Sequence, residues 1–215
     1  MRLVPWMEPL FRDREAAGRA LADAVAEVEL EQPLVVGVAR GGIAVAVEVA
    51  RRIGCPLTAV DVERVNAHGL RLGATTADGP PYIREGHGVP DADVEVVVER
   101  ARRKARALES RLEHETLSVA GRTAVVVDDG LITGLTIAAA CRWARWREAT
   151  TVVAATPVGR LDGLERAGAE ADAIVCPHRL EQIAVVGQAY EIFDPLDEWY
   201  VASLLSGADS SRSPP

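Results

Sequence analysis

The sequence predicts an α/β protein built on a doubly wound parallel sheet with helices on both faces. Three observations carry that expectation. Two wholly apolar, β-branched runs, LVVGV at 34–38 and TAVVV at 123–127, have the composition of strands buried on both faces. Each run leads through a glycine-rich turn straight into a helical pattern, which is the opening of a βαβ unit. The chain has 215 residues, 48% hydrophobic, 26% charged and 4% aromatic, a soluble globular composition that excludes disordered, collagen-like and membrane classes. That length suits a single α/β domain with an appendage, placed at residues 11–205.

Element by element, DREAAGRALADAVAEVE from Asp13 sets Ala17, Leu21, Ala24, Val25 and Val28 at helical spacing, with Asp13 as N-cap. Strand 34–38 ends in the turn Gly37 to Gly42, and a helix follows at 43–53 before a second strand at 57–62. Glycines, prolines and polar residues then dominate from 62 to 90, with a short hairpin pairing 72–74 with 82–83. A loop of that length is usually functional or mobile. From 93 to 115 an amphipathic helix is expected, its stripe formed by Val94, Val97, Val98, Ala101, Ala105, Leu108 and Leu112. Its charges, including a Glu99–Arg103 pair one turn apart, read as a solvated face. Strand 123–127 runs through DDGLITGLT into a helix at 136–146. A strand at 150–155, a short helix at 161–167 and a last strand at 173–176 complete the sheet. The stretch 177–205 is expected to fold over the carboxyl edge as a cap, and 206–215 to be a disordered polar tail.

The net charge of −8 argues against an affinity built on neutralising nucleic-acid phosphates, while leaving room for a cationic pocket that binds one small anion. Cys55, Cys141 and Cys176 show no paired spacing, so reduced thiols in the cytoplasm are expected. The amino terminus lacks a secretory pattern and no 18 apolar residues run together, which argues against a membrane partner. His68, His87, His114 and His178 show no metal-ligand spacing. Lys104 is the only lysine, so lysine-dependent chemistry has one candidate.

In a doubly wound sheet, ligands bind beyond the carboxyl ends of the strands. Asp128 and Asp129 stand at such an end, where paired carboxylates can accept hydrogen bonds from two vicinal hydroxyls or hold a divalent cation through water. Ile132, Thr133, Gly134, Leu135 and Thr136 follow at a helix amino terminus, where backbone N–H groups, the helix dipole and two hydroxyls can cradle a phosphate. A diol site beside a phosphate site suits a ribose 5-phosphate. The plainer alternative is an exposed acidic turn followed by an ordinary helix cap.

The string VVVDDGLITGLT at 125–136 resembles the phosphoribosyl pyrophosphate signature of the type I phosphoribosyltransferases, two acids followed after three residues by Thr-Gly-x-Thr. FRDREAAGRALA from Phe11, VVGVARGGIAVAVEVARRIGCPL from Val35 and AVVGQAYEIFDPLDEW from Ala184 resemble one bacterial branch of that family, sometimes joined to a hydrolase domain. The resemblance spans about residues 11–202. It implies a Rossmann-like type I phosphoribosyltransferase fold with a small C-terminal hood at 176–200. Asp128 and Asp129 would then bind the ribose hydroxyls, Ile132 to Thr136 the 5-phosphate, and Val38, Ala39, Arg40, Gly41 and Gly42 the pyrophosphate. A non-proline cis peptide is expected at Ala39–Arg40.

The family's mobile loop corresponds to part of 62–90. Here the branch's Val-Arg-Lys is replaced by Val62, Glu63 and Arg64, which keeps a cation but alters its geometry and brings an acid near an anionic donor. Arg64, His68 and Arg71 are candidates to meet the pyrophosphate, or else solvated loop residues. Catalysis is expected to rest on Arg40, Arg64, Asp128 and Asp129, with Mg2+ held by the donor and water rather than by a protein motif. Ile183 and Tyr190 are hood candidates for facing the acceptor, although Tyr190 also suits the hood's core. The implied activity is transfer of a phosphoribosyl group from phosphoribosyl pyrophosphate to a small nitrogenous acceptor. The alternatives are a non-catalytic ribose-phosphate-binding regulator and a transferase using another sugar-phosphate donor. Dimerisation is common in the family, and the long helix or 161–167 could serve it.

Overall fold

The structure, a computed structural model, describes residues 8–112 and 117–210. Helix α1 (Arg14–Ala26) begins where the Asp13 carboxylate accepts the Ala16 N–H at 2.9 Å, satisfying one of the orphan donors of the first turn. Strand β1 (Leu34–Val38) and helix α2 (Gly41–Ile53) follow, and Gly54, left-handed at φ 67°, ends the helix. Strand β2 (Leu57–Val60) stops one residue before Asp61, because the Val60 carbonyl accepts the Ala39 N–H and the parallel ladder goes no further. The expected strand 57–62 is therefore two strands, the second beginning a separate sheet.

That second sheet is β3 (Val62–Ala67), β4 (Leu70–Thr76) and β5 (Tyr82–Ile83), all antiparallel. The β4–β5 pairing at Gly73 and Ala74 is the short hairpin expected, whereas β3–β4 was not foreseen. His68 and Gly69 join β3 to β4 with φ of 50° and 74°, the two positive values a two-residue hairpin turn of matching twist requires. Helix α3 (Asp91–Leu112) lays Val98 and Ala101 on Val65 and Leu72 of this sheet. Its Glu99 reaches Arg106 at 3.8 Å, two turns along, rather than Arg103.

The chain then forms β6 (Thr123–Val127), α4 (Leu135–Trp146), β7 (Thr151–Ala155), β8 (Val158–Arg160), α5 (Leu161–Gly168), β9 (Ala173–Val175) and β10 (His178–Leu180). A single 3-10 turn at Val186–Ala189 precedes the last helix, α6 (Glu198–Ser210). Residues 206–210, expected in a disordered tail, belong to α6, whose Val201 and Leu205 pack on Ile43 and Ala59; residues 211–215 lie outside the described part. The pair β8–β10 was also unforeseen, since strands of three residues are too short to show a period.

The main sheet is parallel throughout in the order β2-β1-β6-β7-β9. Alternate side chains of its strands face opposite sides. Leu34, Val36, Val126 and Ala154 pack with Ile137, Cys141, Trp143 and Leu164 of α4 and α5. Val35, Val125 and Val153 pack with Leu21, Val25, Val45 and Val49 of α1 and α2. Both faces are covered, as the unbroken apolar runs require. Because β1 has β2 on one side and β6 on the other, the connections leave in opposite directions and open a crevice at the carboxyl ends of β1 and β6. Among the described residues no helix is long and apolar enough to cross a membrane.

Candidate functional site

A cavity of about 260 Å³ fills that crevice. Register brings its two loops together: Gly37 pairs with Val127, so the turn after β1 and the turn after β6 leave the sheet side by side. Val38, Ala39, Arg40 and Gly41 line it from the first turn, and the peptide bond Ala39–Arg40 is cis. Asp128, Asp129, Ile132, Thr133, Gly134 and Thr136 line it from the second. The hairpin supplies Val62, Arg64 and Arg71. Strand alternation keeps Glu63 off this surface, so the acid suspected of opposing an anion does not line the cavity. His68, at the hairpin turn, does not line it either and lies 3.3 Å from Asp93.

Four candidate residues stand back from the cavity. Gly42 packs beneath the Asp128 backbone, where an added Cβ would come within 2.5 Å of the Val127 carbonyl oxygen. Leu135 is buried. Ile183 and Tyr190, each only 4% exposed, belong to an apolar cluster with Phe11, Val158 and Ala189, and the side chain that reaches the cavity from this segment is Val186. Tyr190 acts indirectly, its hydroxyl donating to the Asp129 carbonyl.

The second turn is held from several directions. Leu131 exchanges backbone hydrogen bonds with β8, to Val158 at 2.9 Å and from Arg160 at 2.8 Å, and Arg166 donates to the Thr133 carbonyl. Gly134 is left-handed, φ 72°, directly before α4, and a Cβ there would lie 2.2 Å from the Gly163 carbonyl oxygen. No residue with a side chain fits that approach. The turn therefore delivers Thr133 and Thr136 to the amino terminus of α4, where unpaired N–H groups favour an anion.

Two carboxylates and three guanidinium groups share this small space. Asp128 accepts the Asp129 N–H at 2.9 Å through Oδ1, and Asp129 accepts Arg14 Nε at 2.8 Å through Oδ2. Burial raises the Asp128 carboxyl well above the ordinary range, and the neighbouring Asp129 charge adds to it. Burial raises Asp129 as well, opposed by the hydrogen bond from Arg14. Arg71 is lowered by partial burial and by Arg64 beside it. The site can thus accept hydroxyl hydrogens at one end and neutralise several negative charges at the other. Among the described residues no group of three or more His, Cys, Asp or Glu could hold a metal ion.

Arg14, Val186 and Asp61, the residue between β2 and β3, were missed from sequence. Arg14 and Val186 each carry one usable signal, their places within the FRDREAAGRALA and AVVGQAYEIFDPLDEW segments; Asp61 carries none.

Residues 12–190 match the phosphoribosyl transferase domain family. The chain is 35% identical over 208 residues to a Mycobacterium tuberculosis protein named as a phosphoribosyl transferase, covering 93% of this chain and 47% of that protein. It thus spans about half the length of that relative. An adenine phosphoribosyltransferase of Mycobacterium marinum is 30% identical over 176 residues, 82% of this chain and 79% of that one. The crystal structure of TT1426 from Thermus thermophilus superposes with a TM-score of 0.80 at 34% identity, covering 93% of this chain and 98% of that one. A family match over most of the chain, a close structural relative and a cavity built by the signature loops agree: the chain belongs to the phosphoribosyl transferase domain family.

Proposed function

We propose that the protein transfers a 5-phosphoribosyl group from phosphoribosyl pyrophosphate to a small nitrogenous acceptor and releases pyrophosphate. The observation that carries this reading is one cavity combining the Arg40 loop, the Asp128–Asp129 pair and the Thr133–Thr136 turn. The amino terminus of α4 with Thr133 and Thr136 takes the 5-phosphate. Asp128 and Asp129 each keep one oxygen outside the bonds described above, which suits acceptance of the ribose 2′ and 3′ hydroxyls. Arg40 and Gly41 offer backbone N–H groups to the pyrophosphate beside Val38 and Ala39, and Arg40, Arg64 and Arg71 neutralise the charge that grows on it as it leaves.

Positioning and charge stabilisation are then the protein's whole task, and no nucleophilic side chain is needed. A Mg2+ ion fits this donor set best when held by pyrophosphate oxygens and water near Asp128 and Asp129, where it would share the neutralisation of the leaving group. Val186, with Leu131 and Ile132, marks the side from which the acceptor approaches. The three free cysteines suit a reducing compartment, and we assign the activity to the cytoplasm.

The test is calorimetric binding of magnesium phosphoribosyl pyrophosphate, followed by a pyrophosphate-release screen over nitrogenous acceptors. Replacing Asp128→Asn together with Asp129→Asn should weaken donor binding by about a hundredfold or more in a protein that still folds. A folded double variant that binds as tightly as wild type overturns the site.

A further inference from the structure

Asp129 is held by a residue that lies outside the cavity. Arg14, the first residue of α1, donates through Nε to Asp129 Oδ2 at 2.8 Å, and both side chains are largely buried, 12% and 13% exposed. The other end of the guanidinium donates through Nη1 to the Asp194 carbonyl at 2.9 Å, and its face lies 3.9 Å from the centre of the Phe193 ring. Tyr190, packed 4.9 Å from Phe193, donates its hydroxyl to the Asp129 backbone carbonyl. Gly41 closes the arrangement, since a Cβ there would stand 2.0 Å from Asp129 Oδ2 and 3.3 Å from Arg14 Nε. Side chain and main chain of Asp129 are thus fixed by α1 and by the segment 190–194.

Resting on the functional reading above, we infer that Arg14 is a positioning residue for ribose recognition: it fixes the Asp129 carboxylate and directs its remaining oxygen toward the sugar hydroxyls. A planar guanidinium stacked on a ring and bonded at both ends has little freedom, so the carboxylate it pairs with has little either. Arg14 also opposes the upward push that burial gives the Asp129 carboxyl, so without it that carboxyl would take up a proton more readily still. A protonated Asp129 is a poorer acceptor for a diol. Besides Arg14, the groups facing this carboxylate are Asp128 from the same turn, the Tyr190 hydroxyl, and Arg64 across the cavity beside Asp128.

The experiment compares two probes, ribose 5-phosphate and inorganic phosphate, by calorimetry between pH 6 and 9. Inorganic phosphate can occupy the α4 amino terminus without touching Asp129. In Arg14→Met, ribose 5-phosphate should bind about tenfold to a hundredfold more weakly at pH 7 while phosphate binds as before. The midpoint of the pH dependence of ribose 5-phosphate binding should rise by about one unit, and Arg14→Lys, which keeps the charge but not the planar fork, should restore the midpoint more than the affinity. Unchanged affinity and midpoint overturn the inference, and so does an equal loss of both probes, which would make Arg14 part of the scaffold only. If Arg14→Met fails to fold, the wild-type protein decides: the Arg14 Nε–H resonance should move on adding ribose 5-phosphate and stay still with phosphate, and an unmoved resonance overturns the inference. A wild-type protein that binds phosphate but no ribose 5-phosphate overturns the functional reading, and this inference with it. Normal wild-type binding with an indifferent Arg14 variant overturns this inference alone.

Discussion

Asp61, the residue between β2 and β3, is 2% exposed, and neither carboxylate oxygen finds a hydrogen-bond partner. Burial first, then the charges of Glu109 and Glu63, push its carboxyl from 3.8 up to about 7, with Arg111 and Arg40 opposing. A raised value in the folded protein means that the fold holds a proton which the unfolded chain gives up. Stability from this group is therefore full below pH 3.8, declines as pH rises to about 7 and is flat above that. Asp61→Asn should remove the dependence and raise stability at pH 8 by about 2–4 kcal/mol, with little change at pH 4, as urea unfolding at the two pH values will measure. The sequence offered no warning, because this aspartate falls inside the strand expected at 57–62 and nothing in its neighbours marks it as an unpaired buried carboxylate. Arg14 was hidden for a different reason: its contact with Asp129 spans 115 positions, and a charged residue beside a helix cap looks solvated.

At the level of elements, strands of one apolar run were legible with their ends, since burial on both faces leaves no room for polar residues. The hairpin β3–β4 was not. Its turn is His68–Gly69 rather than the Asn-Gly or Asp-Gly that announces such turns, and its strands interleave buried Val65, Ala67 and Leu72 with charges that serve the cavity. A paired hairpin carrying Arg64 and Arg71 predicts that Arg64→Ala lowers the turnover rate more than it weakens donor binding, which steady-state kinetics beside calorimetry will separate. For α1 the cap is the vulnerable point. Asp13→Ala should cost about 1 kcal/mol, seen as a lower urea midpoint with an unchanged slope.

Across the whole molecule, two apolar cores share one sheet, so loss of either uncovers the other and the main sheet should unfold as a unit. Cys141 sits in the core beneath α4, fully buried, with its thiol pushed up to about 12 by burial. Cys55 is the more accessible of the thiols. A thiol reagent should therefore modify Cys55 first in the native protein, and Cys141 only at denaturant concentrations that unfold the sheet. The cavity draws its walls from residues 38 to 186, so no single element contains it. Its signature loops were legible because each is continuous in sequence, whereas the segment 176–200 was not. There, apolar side chains such as Ile183 and Tyr190 suit a ligand and a core equally well, and packing alone decides between them.

The close approaches at Gly41 and Gly134 bear on how this protein can drift. A core valine exchanged for isoleucine meets neighbours that can shift slightly, but one methyl group at Gly41 would enter a carboxylate, and one at Gly134 a carbonyl oxygen. In a library of random variants selected only for a working cavity, survivors should differ freely along the strands and stay uniform at these two positions. The pattern would arise without either glycine taking part in the chemistry.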